Sequence, residues 1–279
     1  MKVLLTGHLG FVGQHVAKRL VSDGHSVVGW DRKSTDGEAI DVATLDDYVS
    51  ARRHALETAH GVQAVIHCAA KADISRNWAS KTERDELFWD NVQAPWSLCE
   101  FFAGRSLSHV VFVSTLAVTD WESSPYAATK VFGERVTKAW ASAFAWNSVI
   151  VRPASCVGVG YRHGHIADFV RKARECPEGF EALDDGRTRK PYVHVETVAK
   201  AIADSLRICQ DNAVLECVDG MWGWVDTARV MGIDVRPKLG IERGWKGDPL
   251  FLGRAACTDR QEEVERGVRE ALDDLGWKR

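Results

Sequence analysis

A glycine-rich turn near the start of the chain restricts the fold more than any other feature. The segment TGHLGFVG, residues 6–13, carries three glycines at intervals of three. An apolar run at residues 3–5 precedes it, and apolar residues at helical spacing follow it over residues 12–21. The pattern predicts a strand, a turn and a helix. The glycines either serve the turn alone or let a phosphate reach the N–H groups at the helix N-terminus.

A second apolar run favours the phosphate-binding interpretation. Residues 26–30 form this run, which leads into Asp31, about 20 positions beyond the glycines. An acidic residue in this place accepts hydrogen bonds from the adenosine ribose of a dinucleotide. The Asp31 carboxylate would repel the 2′-phosphate of NADP, which favours NAD, whereas Arg32 and Lys33 could bind that phosphate. We therefore expect NAD and keep NADP as the alternative.

Strand-like and helix-like runs alternate along the first half of the chain. We predict strands at residues 3–5, 27–30, 39–42, 64–68, 110–114 and 148–151. This alternation predicts an α/β fold, a doubly wound parallel sheet with helices on both faces. Beyond residue 153 the pattern changes, which predicts a smaller second lobe. We expect a dinucleotide-binding domain of residues 1–155 and 191–219, and a discontinuous C-terminal lobe of residues 156–190 and 220–279.

Charge and composition exclude several classes of partner. A net charge of −3 without a basic cluster argues against nucleic acid, and no apolar stretch is long enough to span a membrane. Residues 1–7 are typical of a strand and not of a signal peptide. Seven cysteines without a CxxC pair suit a reducing cytoplasm. His163 and His165 lack a third ligand at a suitable spacing, so we expect no metal site.

Residues beyond the fifth predicted strand suggest proton transfer. Tyr126 and Lys130 are four positions apart, so on a helix they lie on one face. A cation near a tyrosine phenol lowers a pKa that starts at about 10. Thr115 directly follows Ser114 at the strand end and could hydrogen-bond the same substrate oxygen. A YxxxK pattern also arises by chance, but its place in the fold favours a general acid and base for an alcohol or ketone.

With these motifs the sequence resembles the extended short-chain dehydrogenases/reductases, in particular the NAD-dependent epimerase/dehydratase family. The resemblance covers roughly the first 220 residues. It implies a Rossmann-type fold whose smaller lobe binds the substrate. It rests on Asp31 and on the ordered motifs TGHLGFVG (6–13), DV (41–42), VIHCAA (65–70), NV (91–92), VSTLAV (113–118), YAATK (126–130), VRPASCVGVG (151–160) and RKPYVHVETVAKAI (189–202).

The resemblance implies roles for individual residues. Tyr126 would be the acid and base, Lys130 would bind the nicotinamide ribose and tune Tyr126, and Thr115 would orient the substrate hydroxyl. Asn91 would support the active site from its helix. The implied cofactor-binding positions are Gly7, Leu9, Gly10, Phe11, Val12, Gly13, Asp31, Arg32, Asp41, Val42, Cys68, Ala69, Ala70, Lys71, Asn91, Ser114, Tyr126, Lys130, Pro153 and Ser155.

Departures from the family pattern narrow the expected reaction. Leu116 and Ala117 stand where 4,6-dehydratases carry an acidic pair, so dehydration is not expected. The resemblance implies a sugar or nucleotide-sugar epimerase, with a one-way ketoreductase or sugar dehydrogenase as the alternative. A cofactor-binding regulatory protein without catalysis is a third hypothesis, which the intact proton-transfer residues oppose. Family members commonly pair through helices that match residues 84–103 and 125–146, so we expect a homodimer.

Overall fold

The computed structural model describes residues 1–33, 39–44, 49–72, 80–182, 186, 188–210, 212–237 and 260–277. The chain divides into two compact units. The first comprises Met1–Arg152 and Ala199–Glu216, and the second comprises Pro153–Val198 and Cys217–Arg279. Each unit is therefore assembled from two separate stretches of the chain.

The strands in these ranges are β1 (Lys2–Thr6), β2 (Ser26–Trp30), β3 (Ala64–His67), β4 (His109–Val113), β5 (Asn147–Pro153), β6 (Ser155–Val157), β7 (Phe180–Ala182), β8 (Lys190–His194), β9 (Ala213–Cys217), β10 (Gly220–Trp222) and β11 (Val235–Pro237). The α-helices are α1 (Phe11–Ser22), α2 (Val49–Thr58), α3 (Lys81–Phe88), α4 (Ala94–Phe102), α5 (Pro125–Phe144), α6 (His165–Glu175), α7 (Val195–Ser205), α8 (Trp224–Met231) and α9 (Gln261–Asp274). None of the helices in the described ranges combines the length and apolar character needed to cross a membrane.

The first unit is built on a six-stranded sheet in the order β2-β1-β3-β4-β5-β9. The pairings from β2 through β5 are all parallel, which confirms the predicted doubly wound parallel sheet. β3 and β4 are buried along their whole length, as strands covered on both faces are. β2 lies on one side of β1 and β3 on the other, so the strand order reverses at β1. The carboxyl ends of β1 and β3 are therefore the expected place for a ligand.

Trp30, at the end of β2, anchors part of the core of this unit. Its ring meets Phe101 edge-on, with 5.3 Å between centroids, and stacks on Phe102 at 6.3 Å. Both partners lie on α4, and Trp30 is 1% exposed. Burying a side chain of this size stabilises a fold by about 2 kcal/mol. The contact holds α4 against the strand that leads into Asp31.

The predicted strand at residues 39–42 is wrong. Residues 39–41 carry no regular structure, and Val42–Thr44 is a 3₁₀-helix. The Asp41 side chain explains the turn, because its Oδ1 accepts the Ala43 N–H at 3.0 Å. The Ile40 N–H donates to Asp31 O at 2.9 Å. This contact keeps the segment beside the end of β2 without adding it to the sheet.

The second unit contains two small sheets. β8 pairs with β10 antiparallel and with β6 parallel, while β7 pairs with β11. His165 supports this unit, because its Nδ1 lies 2.9 Å from Tyr192 Oη and its Nε2 lies 2.8 Å from Thr227 Oγ1. Both ring nitrogens thus have protein partners. Within the described part of the chain, no cluster of three or more potential metal ligands is found.

Candidate active site

The glycine turn after β1 is shaped by close backbone contacts. Gly7 has a left-handed backbone (φ +69°), and its N–H donates to Trp30 O at 2.7 Å. A Cβ on Gly13 would lie 2.0 Å from Gly7 O, so the first turn of α1 packs directly on the loop. Gly7 and Gly13 are therefore needed by the fold itself.

Gly10 differs from the other two glycines. It is exposed, and its backbone is extended (φ −73°, ψ 168°), which any residue can adopt. A Cβ there would meet Gly7 O at 3.2 Å and nothing else described within 4 Å. Gly10 is the N-cap of α1, whose first turn holds neither an acidic residue nor a side-chain cap, so backbone N–H groups of this turn have no side-chain acceptor. The bare backbone at Gly10 thus fits the close approach of a pyrophosphate.

A cleft of about 780 Å³, part of it open to solvent, lies beside this turn. Trp30, Lys33, Asp90 and Ala94 line it in addition to the predicted residues. Phe11, Val12 and Gly13 are not part of the lining; they form the first turn of α1. The cleft brings together the predicted cofactor positions Gly7, Leu9, Gly10, Asp31, Arg32, Asp41, Val42, Cys68, Ala69 and Ala70.

Asp31 is held at the end of β2 by two backbone donors. Its Oδ2 accepts the Leu9 N–H at 3.2 Å, and its Oδ1 accepts the Lys33 N–H at 3.1 Å. The carboxylate thereby joins the glycine turn to the segment after β2. A carboxylate has further acceptor positions, which suit the paired hydroxyls of a ribose in the cleft.

Arg32 and Asp90, which both line the cleft, form an ion pair. Arg32 Nη1 lies 3.1 and 3.0 Å from the two Asp90 carboxylate oxygens. Asp90 belongs to a π-helix at Trp89–Gln93, which follows α3 directly. The sequence analysis missed Asp90, because no local pattern shows that this turn approaches the end of β2. It also missed that Arg32 has a protein partner.

Asn91, the next residue of the π-helix, fixes the loop after β3. Its Oδ1 accepts the Lys71 N–H at 2.8 Å, and its Nδ2 donates to Lys71 O at 3.0 Å. Nδ2 also donates to Thr129 Oγ1 at 3.2 Å. Asn91 is buried, so these bonds are shielded from water. It thus connects the cleft wall to α5, at the residue before Lys130.

Lys130 lies buried on α5, one helical turn after Tyr126. Tyr126 is 7% exposed and Lys130 is 2% exposed. Lys130 Nζ lies 4.4 Å from the centre of the Phe112 ring on β4, which is a cation–π contact. Burial lowers the pKa of the Lys130 ammonium to about 8, against the opposing effects of Cys68 and Glu134. At neutral pH the site therefore holds a desolvated positive charge beside Cys68, a residue of the cleft.

Phe112 is a further site residue that the sequence analysis missed. A Cβ on Gly133 would lie 2.3 Å from its ring, so α5 can approach β4 this closely only because residue 133 is glycine. His67 stacks on Phe112, with 5.7 Å between centroids and 29° between planes. Burial, followed by the Lys130 charge, lowers the pKa of His67 to about 3. His67 is thus neutral, and Lys130 carries the charge of this cluster.

Ser114 and Thr115 have different partners. Ser114 Oγ donates to Glu134 Oε1 at 2.6 Å, and both Glu134 oxygens also accept from Arg152, at 2.9 and 2.7 Å. Thr115 Oγ1 accepts the Ala117 N–H at 3.3 Å at the start of a 3₁₀-helix. A hydroxyl that accepts one bond can still donate its own hydrogen. Thr115 therefore fits the predicted contact with a substrate oxygen better than Ser114 does.

Two predicted cofactor positions lie in the second unit. Pro153 ends β5 and begins this unit, and Ser155 is the first residue of β6. Their contacts with a cofactor stay predictions, as do the catalytic roles of Thr115, Tyr126 and Lys130.

Comparison with known proteins identifies the family. The sequence model of the NAD dependent epimerase/dehydratase family matches residues 3–213. The chain belongs to this family. A 2-alkyl-3-oxoalkanoate reductase of Stenotrophomonas maltophilia is 27% identical over 224 residues, which cover 72% of this chain and 64% of the reductase. A probable UDP-glucuronate 4-epimerase of Rhizobium meliloti is 28% identical over 239 residues, covering 72% of this chain and 67% of the epimerase. The chain thus spans about two thirds of the length of these relatives.

Solved structures show the same fold over nearly the whole chain. A UDP-glucose 4-epimerase of Thermus thermophilus in complex with NAD has a TM-score of 0.71 and 20% identity, covering 99% of each chain. A UDP-glucose 4-epimerase of Thermotoga maritima with UDP-glucose has a TM-score of 0.75 and 20% identity, again covering 99% of each. The predicted family and the predicted α/β fold are confirmed.

NAD is the cofactor of this family, and the residues of the cleft fit it. The exposed backbone at Gly10 and the α1 N-terminus, which has no side-chain cap, suit its pyrophosphate. The Asp31 carboxylate suits the adenosine ribose. Lys130 is not among the residues that line the cleft, so its contact with the nicotinamide ribose stays a prediction. The predicted cofactor is confirmed. When bound, NAD would supply hydride transfer.

We expect Lys130→Met to lower NAD affinity and turnover. The same change should stabilise the cofactor-free protein against unfolding at pH 7. The pKa of Lys130 falls from 10.5 to about 8 on folding, so the unfolded chain holds more protons between these values and stability rises with pH there. Below pH 8 the folded protein carries the full cost of the buried charge. Methionine removes that cost, which is roughly 3 kcal/mol at about 1.4 kcal/mol per pKa unit.

Urea denaturation from pH 7 to 10.5 measures this effect. The advantage of Lys130→Met over wild type should shrink as pH rises through this range. Lys138→Met, on the same helix but only half-buried, is the matched control and should show no such advantage. A Lys130→Met protein less stable than wild type at pH 7 would contradict the expectation.

Proposed function

We propose that the protein is a nucleotide-sugar epimerase that uses Tyr126 as its acid and base. The observation that supports this most is the buried Lys130 ammonium, one helical turn from Tyr126 and stacked on Phe112. A cation one helical turn from a tyrosine can approach its phenol, and a nearby cation favours the phenolate form. The proposal also draws on Leu116 and Ala117, which lack the acid and base that dehydration needs.

In the proposed reaction each residue acts on a stated atom. Tyr126 Oη would take the proton of a sugar hydroxyl while the hydride on the same carbon passes to NAD. It would give the proton back when the hydride returns to the opposite face of that carbon. Lys130, one helical turn from Tyr126 on α5, would keep its positive charge at neutral pH during the reaction. Thr115 Oγ1 donates its hydrogen to the reacting sugar oxygen and orients it. Asn91 keeps the loop at Lys71 in place through its two backbone hydrogen bonds.

The substrate class is part of the proposal. Relatives that match this chain include a UDP-glucose 4-epimerase and a probable UDP-glucuronate 4-epimerase, and structural neighbours include a UDP-glucose 4-epimerase solved with UDP-glucose. We assign the sugar nucleotide to the second unit, Pro153–Val198 and Cys217–Arg279, as its binding lobe. The first unit then binds NAD, in keeping with the position of the cleft.

A one-way reductase is the second candidate. The reductase of S. maltophilia is as similar to this chain as the epimerases are, at 27% identity. Both reactions begin with the same proton and hydride transfer. They differ in whether the hydride returns to the substrate, which an experiment can follow directly.

The test is to incubate the protein with a panel of nucleotide sugars and record NMR spectra and nicotinamide absorbance in parallel. An epimerase converts its substrate with no net change in the absorbance band, because the hydride returns. A reductase consumes reduced cofactor in proportion to product. Stoichiometric consumption with every productive substrate would replace the epimerase proposal by the reductase. The absence of conversion of any nucleotide sugar would remove the substrate class.

The proposed assembly is a homodimer formed through α4 and α5. Trp96 on α4 and Phe144 on α5 are among the exposed large apolar side chains. Trp140 connects them, because it meets Trp96 edge-on at 5.8 Å and stacks on Phe144 at 5.7 Å. Exposed aromatic clusters of this kind are typical of protein interfaces. Sedimentation equilibrium should give twice the chain mass for wild type, and a monomer would contradict the proposal.

We also propose a cytoplasmic location. The free thiols of the described ranges include Cys68, Cys99, Cys176 and Cys209, which suits a reducing compartment. Fractionation of cells that produce the protein should recover it with cytoplasmic markers.

A further inference from the structure

The Arg32–Asp90 ion pair lies at the adenosine side of the cleft, beside Asp31. One guanidinium nitrogen, Arg32 Nη1, contacts both oxygens of Asp90 at 3.1 and 3.0 Å. The Asp90 side chain is 16% exposed and that of Arg32 is 48% exposed. The acid is therefore the better buried partner, and the base reaches it from the rim.

This location matters because NAD and NADP differ only by a phosphate on the adenosine ribose. Asp31, the residue that suits this ribose, repels the phosphate, so NADP would need a compensating cation. Arg32 and Lys33 are the cationic residues in the described lining of the cleft. Arginine binds phosphate well because it offers several donors in a fixed plane. Whether Arg32 is available decides how well the cleft accepts NADP.

We propose that Asp90 makes the cleft selective for NAD by engaging Arg32, so that its guanidinium does not serve a 2′-phosphate. This inference rests on binding of the cofactor in the described cleft. It assigns selectivity to a residue on the π-helix, distant in sequence from the strand that carries Asp31 and Arg32.

The surroundings of Asp90 explain why the pair resists exchange. Burial raises the pKa of Asp90, and Asp41 and Glu86 add to this effect, whereas Arg32 and Lys71 oppose it. Lys71 is itself paired with Glu86 at 2.8 Å. If Arg32 moved to a phosphate, Asp90 would lose its hydrogen-bonded cation in a partly desolvated place. NADP binding through Arg32 therefore carries a cost that NAD binding does not.

Calorimetry with NAD and NADP on four proteins tests the inference: wild type, Asp90→Asn, Arg32→Gln and the double variant. We expect Asp90→Asn to bind NADP about tenfold more tightly than wild type, because Arg32 gains a charge-assisted bond to phosphate. Its NAD affinity should stay within about twofold. In the Arg32→Gln background, the Asp90→Asn change should not increase the affinity for NADP.

Two further variants serve as controls. Lys33→Gln leaves the pair intact, so the gain from Asp90→Asn should persist in that background. Asp90→Glu retains the carboxylate, so this variant should prefer NAD over NADP as strongly as wild type does. Thermal unfolding of each variant establishes that it is folded.

Several results would overturn the inference. An unchanged NADP affinity in folded Asp90→Asn would do so, as would a gain that persists without Arg32. A test that needs no change at Asp90 is Arg32→Gln alone: a tenfold loss of NADP affinity would mean that Arg32 already serves the phosphate in wild type. If NAD fails to bind wild type, the cofactor site itself is wrong. If NAD binds but the ratio of NAD to NADP affinity is the same in the variants as in wild type, only the role of Asp90 is wrong.

Discussion

Turnover by the Tyr126→Phe variant is expected to fall by about a thousandfold, because the change removes the group assigned to proton transfer. The phenyl ring stays in place, so the packing of this buried residue on α5 is retained. NAD affinity should therefore remain within about threefold of wild type, which separates catalysis from binding. Among substitutions that remove a single side-chain oxygen, we expect this one to reduce activity most.

Single-turnover kinetics with the best nucleotide sugar and calorimetry with NAD measure the two quantities. Thr115→Val is the matched comparison, because it also removes one hydroxyl and keeps the side-chain shape. We expect it to cost about a hundredfold in rate, since it removes an orienting bond and not the acid and base. Activity of Tyr126→Phe above a tenth of wild type would assign proton transfer to another residue.

The second large effect concerns valine substitutions at two glycines of the turn after β1. We expect one substitution to reduce stability and the other to reduce NAD affinity. Gly13→Val places a Cβ 2.0 Å from Gly7 O, so we expect destabilisation by more than about 4 kcal/mol or no folded protein. Gly10→Val meets Gly7 O at 3.2 Å and requires no unusual backbone. Its stability should stay within about 1 kcal/mol of wild type. Its NAD affinity should fall at least about tenfold, because a branched side chain blocks the pyrophosphate.

Urea denaturation and calorimetry distinguish the two outcomes. The denaturation midpoint reports stability, and the dependence on urea concentration shows whether the unfolding transition is comparable between variants. Gly24→Val, at a glycine just beyond this helix and outside the lining of the cleft, is the control for NAD affinity. Its positive φ makes a loss of stability expected, but its NAD affinity should equal that of wild type. Unchanged NAD affinity in a folded Gly10→Val protein would mean that this glycine serves the turn alone.

Local spacing explains why the family and the central sheet were predictable. The strand, turn and helix at residues 2–22 each depend on neighbours a few positions away, and so does the i, i+4 placement of Tyr126 on α5. The family followed from motifs in order, and NAD from Asp31 after the second strand. The prediction of a strand at residues 39–42 was wrong, and the reason is local as well. A side-chain bond from Asp41 bent the backbone, and hydrophobicity does not report such a bond.

The sequence by itself therefore determined the parallel sheet, the family and the cofactor, because strand periodicity and turn chemistry act over short distances. Only the tertiary structure decided what each charge in the site contacts. It placed Asp90 against Arg32, 58 positions away, and Lys130 on the face of Phe112. It also separated Gly10, which leaves backbone open to a ligand, from Gly7 and Gly13, which the turn needs. These relations depend on how helices pack on the sheet, and a pairing between distant segments leaves no pattern in either segment alone.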